Sequence, residues 1–175
     1  LLKLAAARAM EGDDPDAAHA AVRKYQEARP VDPWSHRQLL TLALRQDDAK
    51  AAATALEALD DIEVNSGKWA LQLAKLYRSQ KRYDQAGHAI RRALHREPYN
   101  GTYRELAATI ALQAADPEAA LRHIEGLTLL EPDRAIHFVR LAALYSRMDK
   151  PVEARAAAEK ARKIDQNAPV ESFLK

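Results

Sequence analysis

The stretch GKWALQLAKLYRSQKRYDQAGHAIRRALHREPYN, residues 67–100, holds one full turn of a repeating pattern. Its closing phrase Arg96-Glu97-Pro98 returns as Leu130-Glu131-Pro132, which sets the two prolines 34 residues apart, and two further steps back from Pro98 land on Pro30. A period in this range is the mark of stacked supersecondary units and has to be tested before any single element is assigned. The 34-residue frame tiles the chain as 1–32 (truncated at its start), 33–66, 67–100, 101–134 and 135–168. Reading down equivalent positions checks it. The twentieth position is alanine five times, at Ala18, Ala52, Ala86, Ala120 and Ala154. The tenth holds Leu42, Leu76, Ile110 and Leu144, and the twenty-fourth holds Leu56, Ile90, Ile124 and Ala158. Together with Leu39, Leu73, Ala107 and Leu141 at the seventh position, these columns are the expected buried seam.

Within each unit a breaker divides two helical stretches: Gly12-Asp13-Asp14-Pro15, Gln46-Asp47-Asp48, Gln80-Lys81-Arg82-Tyr83, Ala115-Asp116-Pro117 and Met148-Asp149-Lys150-Pro151. Asp before Pro starts a helix, because the carboxylate accepts from orphan amides and proline suits the first helical position. Pro30, Pro98 and Pro132 close three of the units, since proline cannot continue the helical ladder, and Asn65-Ser66-Gly67 does so where Val64 stands instead. The composition agrees. Apolar residues make up 47% and aromatics only 6%, with alanine runs that favour close helix packing. Val, Ile and Thr never alternate with polar residues for long, so no sheet is expected.

These residues resemble the tetratricopeptide repeat. Residues 67–100 supply Leu73, Ala74, Tyr77, Tyr83, Ala86, Ile90, Ala93 and Pro98 at the positions that family favours, and residues 135–168 supply Phe138, Leu141, Ala142, Tyr145, Ala154 and Ala161. Ala43 and Ala111 depart from the usual Tyr at position eleven, Leu59 and Leu127 from the usual Ala at twenty-seven, and Gln166 from the last Pro. The resemblance covers about the whole chain and implies an all-α superhelical solenoid of helix-turn-helix units. Residues 169–175 then read as a cap on the last unit or the start of a further helix, because Val170, Phe173 and Leu174 fall on one helical face. The chain starts at Leu1, inside a helical pattern, which suggests a piece of a longer, bacterial-looking polypeptide.

The resemblance further implies that the first helix of each unit lines a concave wall, with positions two, five, nine, twelve and thirteen facing a ligand. In the second unit these are Trp34, Arg37, Thr41, Leu44 and Arg45; in the third, Lys68, Leu71, Lys75, Arg78 and Ser79. The fourth contributes Thr102, Glu105, Thr109, Leu112 and Gln113, and the fifth Ile136, Val139, Ala143, Ser146 and Arg147. Six of the twenty are cationic and one is anionic. The whole chain, by contrast, balances 27 Lys and Arg against 25 Asp and Glu. A basic, partly apolar groove suits an acidic or carboxylate-bearing peptide. The carboxylate clamp known in the family is not expected, because Arg37, Thr41, Gln72, Thr102 and Leu106 occupy its places.

Other functions find little support. There is no cysteine, and the six histidines include no pair at helical metal spacing, so neither a metal nor another cofactor is expected. No Gly-rich phosphate loop, metalloprotease motif or nucleophile elbow occurs, which points away from an enzyme. No apolar run approaches the roughly 20 residues of a membrane span, and no membrane contact is expected. The stripe Arg91, Arg92, His95 and Arg96 is the one feature that suits nucleic acid. It lacks interleaved aromatics and reads as a solvated face. A protein- or peptide-binding scaffold is the leading reading; self-assembly and presentation of substrates to an enzyme domain elsewhere in a longer chain stand beside it.

Overall fold

The computed structural model describes residues 1–174. Over these residues the chain forms ten α-helices and one short 3-10 turn, and no strand. The helices run α1 (Leu2–Glu11), α2 (Pro15–Ala28), α3 (Pro33–Arg45), α4 (Ala49–Ile62) and α5 (Lys68–Ser79), then α6 (Tyr83–Arg96), α7 (Gly101–Gln113), α8 (Pro117–Leu130), α9 (Ala135–Arg147) and α10 (Pro151–Ile164). Each odd-numbered helix packs on the even-numbered helix that follows, and each even-numbered helix packs on the next odd one. The result is a solenoid of helix pairs.

Local chemistry places the helix starts. Asp14, Asp48 and Asp116 accept from backbone amides of α2, α4 and α8 at 2.9–3.0 Å, while Asp32 and Asn100 do the same for α3 and α7. Proline stands in the first turn of α2, α3, α8 and α10.

The turns between paired helices share a geometry that the residue types do not announce. Asp47, Lys81, Ala115 and Asp149 all occupy the left-handed region, with φ between 53° and 60°, at the same position of four successive units. After each of them an amide reaches back five residues: Asp48 to Ala43, Arg82 to Tyr77, Asp116 to Ala111 and Lys150 to Tyr145, all at 2.8–2.9 Å. This is the Schellman closure, usually made with glycine. A side chain there costs on the order of 1 kcal/mol, which the hydrogen bonds and the burial of both helices offset. The first turn differs, since Gly12 is extended at φ −80° and ψ 169°.

The alanine column does what its size allows. Ala18, Ala52, Ala86, Ala120 and Ala154 are at most 3% exposed, which lets paired helices approach closely. The core is a sleeve along the stack: one set of buried residues runs from Leu40 to Ile110, and the next begins at Ala108 on α7 and continues to α10. Beyond α10, Ala168 and Val170 are buried in that second set. Gly67 is more than a helix breaker. A Cβ there would lie 2.6 Å from the ring of Tyr103 and 3.0 Å from the carbonyl oxygen of Ala93, so the third and fourth units approach too closely for a side chain.

Candidate functional site

Eleven of the twenty residues expected to face a ligand carry the candidate site, and all of them lie on odd-numbered helices. Trp34, Arg37, Thr41 and Arg45 are on α3; Lys68, Leu71, Lys75 and Arg78 are on α5; Glu105 and Thr109 are on α7, and Arg147 is on α9. Trp34, Leu71, Arg78 and Glu105 are half-buried and the rest exposed. Leu71 packs against the core, and the local engagements of the other ten separate them into two groups.

The first group is committed to the protein itself. Arg37 ion-pairs with Glu63, and its guanidinium sits 5.8 Å from the Trp69 ring, which Lys68 approaches at 4.4 Å. Trp34 packs edge-on against Tyr25 with ring centres 5.2 Å apart. The hydroxyls of Thr41 and Thr109 donate back to the carbonyls of Arg37 and Glu105 within their own helices. Glu105 lies 3.4 Å from Arg140, so the one anion of the set is offset. The second group is Arg45, Lys75, Arg78 and Arg147, which make no side-chain hydrogen bond or ion pair among the described residues. Leu44, Leu112 and Ile136 are exposed on α3, α7 and α9 and add apolar area to the odd-numbered helices.

A second arrangement was not anticipated from the sequence. Glu63, Glu97 and Glu131 recur at 34-residue intervals at the ends of even-numbered helices, and each accepts a hydrogen bond from the third residue of the following unit. The donors are the Trp69 indole N–H at 2.8 Å, the Tyr103 hydroxyl at 3.1 Å and His137 Nε2 at 2.8 Å. All three donor side chains are buried, so each latch ties a buried group of one unit to the preceding unit. Glu97 also accepts from the Gly67 amide at 2.9 Å and from Asn100 at 2.9 Å. Arg134 adds a 2.7 Å contact to Glu131. The signal was present as a glutamate column, but the donors share only an N–H or O–H and no residue type.

The stack of helix pairs now has solved counterparts. The crystal structure of MamA matches 87% of this chain and 90% of that chain with a TM-score of 0.65 at 16% identity. YrrB, described as a TPR protein with an unusual peptide-binding site, matches 98% of this chain and 85% of that chain with a TM-score of 0.63 at 14% identity. Tetratricopeptide repeat protein 34 of Homo sapiens is 29% identical over 119 residues, or 67% of this chain. The chain has the helix-pair solenoid fold of these structures, YrrB among them a TPR protein. It spans 20% of the length of that human relative, and no family model matches it.

The latches give the repeat array a pH dependence whose sign is set by the glutamates. The Trp69 indole with the Arg37 guanidinium holds the Glu63 carboxyl below its ordinary range. The Gly67 amide, with Asn100 and Tyr103, does so for Glu97, and His137 with Arg134 does so for Glu131. A carboxylate whose pKa is depressed in the folded state contributes stability that is present above its unfolded value and lost as pH falls through the folded value. The melting temperature will therefore fall as pH drops below about 5. A variant with glutamine at positions 63, 97 and 131 will be less stable at neutral pH and show a flatter melting profile between about pH 5 and pH 3. A profile of unchanged slope in that variant would show that other acids carry the acid sensitivity.

The basic stripe of α6 is also resolved. Asp60, on α4, is fully buried, and Arg96 ion-pairs with it, while Arg92 Nε lies 3.1 Å from its second oxygen. Two of the four stripe residues are thus structural ties between the second and third units of the repeat array.

Proposed function

We propose that this repeat array is a scaffold that binds a protein or peptide along the concave wall formed by its odd-numbered helices, and that the bound segment is acidic. The observation that carries the reading is the set Arg45, Lys75, Arg78 and Arg147, cations on odd-numbered helices without a side-chain partner among the described residues, while the one anion of the expected wall, Glu105, is already offset by Arg140. Unpaired guanidinium and ammonium groups, with Leu44, Leu112 and Ile136 exposed on odd-numbered helices, suit a segment that carries both carboxylates and apolar side chains. The structural neighbour YrrB supports the mode, since a peptide-binding site is described for it.

Random peptides displayed and selected on the purified domain should be enriched in Asp and Glu. The charge reversals Lys75→Glu and Arg78→Glu together should weaken a selected peptide by about a hundredfold, as expected for loss of two contacts worth about 1.4 kcal/mol each. Both positions lack structural partners, so the fold should survive. Selection of neutral peptides, or affinity unchanged by the reversals, would remove this reading. Arg37 is a poorer test position, because its loss would also disturb Glu63 and Trp69.

A further inference from the structure

The departures from tyrosine at position eleven follow a rule. On α5, Tyr77 donates to Glu57 of α4 at 2.7 Å; on α9, Tyr145 donates to Glu125 of α8 at 2.8 Å. Each phenol closes the junction between two units. Burial and the neighbouring Glu125 push the Tyr145 hydroxyl up to about 12, and the same causes raise Tyr77. At the other two junctions the tyrosine is replaced by Ala43 on α3 and Ala111 on α7, and the glutamate by Arg23 on α2 and Arg91 on α6. Both members of the pair change together.

At each of those junctions the structure contains a cleft. One, of about 310 Å³, is lined by Arg23, His19, Ala43 and Lys50, between α2 and α4 over α3. The other, of about 200 Å³, is lined by Arg91, His88, Ala111 and His123, between α6 and α8 over α7. The clefts occupy equivalent places two units apart, and none of Arg45, Lys75, Arg78 and Arg147 lines either of them.

We propose that these two clefts are binding sites, each for one aromatic ring carrying an anionic group. The ring follows from the space: at the closed junctions the phenol of Tyr77 or Tyr145 occupies the eleventh position, and at the open ones alanine leaves that room. The anion follows from the reversed partner, since a glutamate that accepts from a hydroxyl has become an arginine that can only donate. Each volume is enough for a single ring.

The α6/α8 cleft carries further support. It continues into a basic surface that includes Arg92, Arg104 and His95. His123 borders both, and its Nδ1 is buried without a partner, as is Nε of Arg104. Burial first, and then the guanidiniums of Arg104, Arg122 and Arg91, hold His123 below its ordinary value. Acids are present as well. Asp84 lies in the first turn of α6, Asp116 accepts from the Ala119 amide at 2.9 Å, and Asp48 caps α4 in the other cleft. Each stands at a helix N-terminus, where the helix dipole offsets its charge.

Amide chemical shifts followed during titration with phenyl phosphate, benzoate and benzylamine test the proposal. The two anions are expected to give saturable shifts confined to α2–α4 and α6–α8, and the cation none. Ala43→Tyr with Arg23→Glu should close the first cleft, and Ala111→Tyr with Arg91→Glu the second, each abolishing shifts at its own cleft alone. Should a closed variant fail to fold, Arg23→Gln and Arg91→Gln, which leave the packing intact, should weaken anion binding about tenfold. Absence of anion binding, equal binding of benzylamine, or binding undiminished in these variants would overturn the proposal. Competition separates the two sources of such a group. A phosphotyrosine pentapeptide that displaces phenyl phosphate assigns the sites to a partner chain, and its exclusion from clefts that phenyl phosphate still fills assigns them to a free aromatic acid.

Discussion

Changing Arg96 to alanine is expected to destabilise the array by about 3–5 kcal/mol, a large part of the stability of a domain this size. The reason lies in what the change leaves behind. Asp60 is fully buried near the end of α4, and Arg96 from α6 ion-pairs with its carboxylate, donates to its carbonyl oxygen at 3.1 Å and to that of Ser66 at 3.2 Å. Alanine would strand a buried charge and two carbonyl acceptors at once. Arg92 remains 3.1 Å from the second carboxylate oxygen, but its side chain is 43% exposed and its N–H is not aligned for a hydrogen bond. Urea unfolding followed by helical circular dichroism measures the loss. Lys81→Ala, at an exposed turn, serves as the control and should stay within about 0.5 kcal/mol. The paired change of Asp60 and Arg96 to leucine should recover most of the stability, because it removes the buried charge together with its partner. An Arg96→Ala variant no less stable than the control would show that water already neutralises Asp60.

That clamp marks where the sequence stops being readable. The stack itself is visible because steric demands repeat in kind: only alanine lets paired helices approach at position twenty, so Ala18 through Ala154 form a column of one residue type. The helix starts at Asp14, Asp48 and Asp116 are visible for the same reason, since capping needs a short side-chain acceptor. Asp60 and Asp61, by contrast, look like any polar helix end, and only the arginines that reach Asp60 from α6 distinguish the buried one from the exposed one. The left-handed residues Asp47, Lys81, Ala115 and Asp149 share a backbone conformation and no side-chain property, so no residue type announces them. The latches to Glu63, Glu97 and Glu131 use indole, phenol and imidazole in turn.

The candidate groove was legible in the same partial way. Sequence positions place the cations Arg45, Lys75, Arg78 and Arg147 on odd-numbered helices. Whether a cation is free or tied depends on the neighbouring unit, as the pairing of Arg37 with Glu63 shows. Charge counted along a sequence therefore overstates what a ligand would meet.

Leu59→Ala is the second change with a large expected effect, and it sets the family pattern against the physics of this chain. Alanine is the residue the tetratricopeptide pattern favours at position twenty-seven, and Ala93 and Ala161 follow it. A substitution toward the pattern commonly stabilises. Leu59, however, is fully buried and belongs to the core that includes Leu56, Trp69, Ala70 and Leu73. Its truncation removes buried methyl groups and leaves a cavity that collapses only as far as the flanking helices can shift, which costs about 2–5 kcal/mol. Ala52 and Ala86 already bring those helices into close contact, so little collapse is available and the upper half of that range is expected. The midpoint of urea unfolding should drop with its slope unchanged. A midpoint equal to or above that of the parent would mean that the units rearrange around position twenty-seven independently, and that the pattern outweighs the packing observed at this junction.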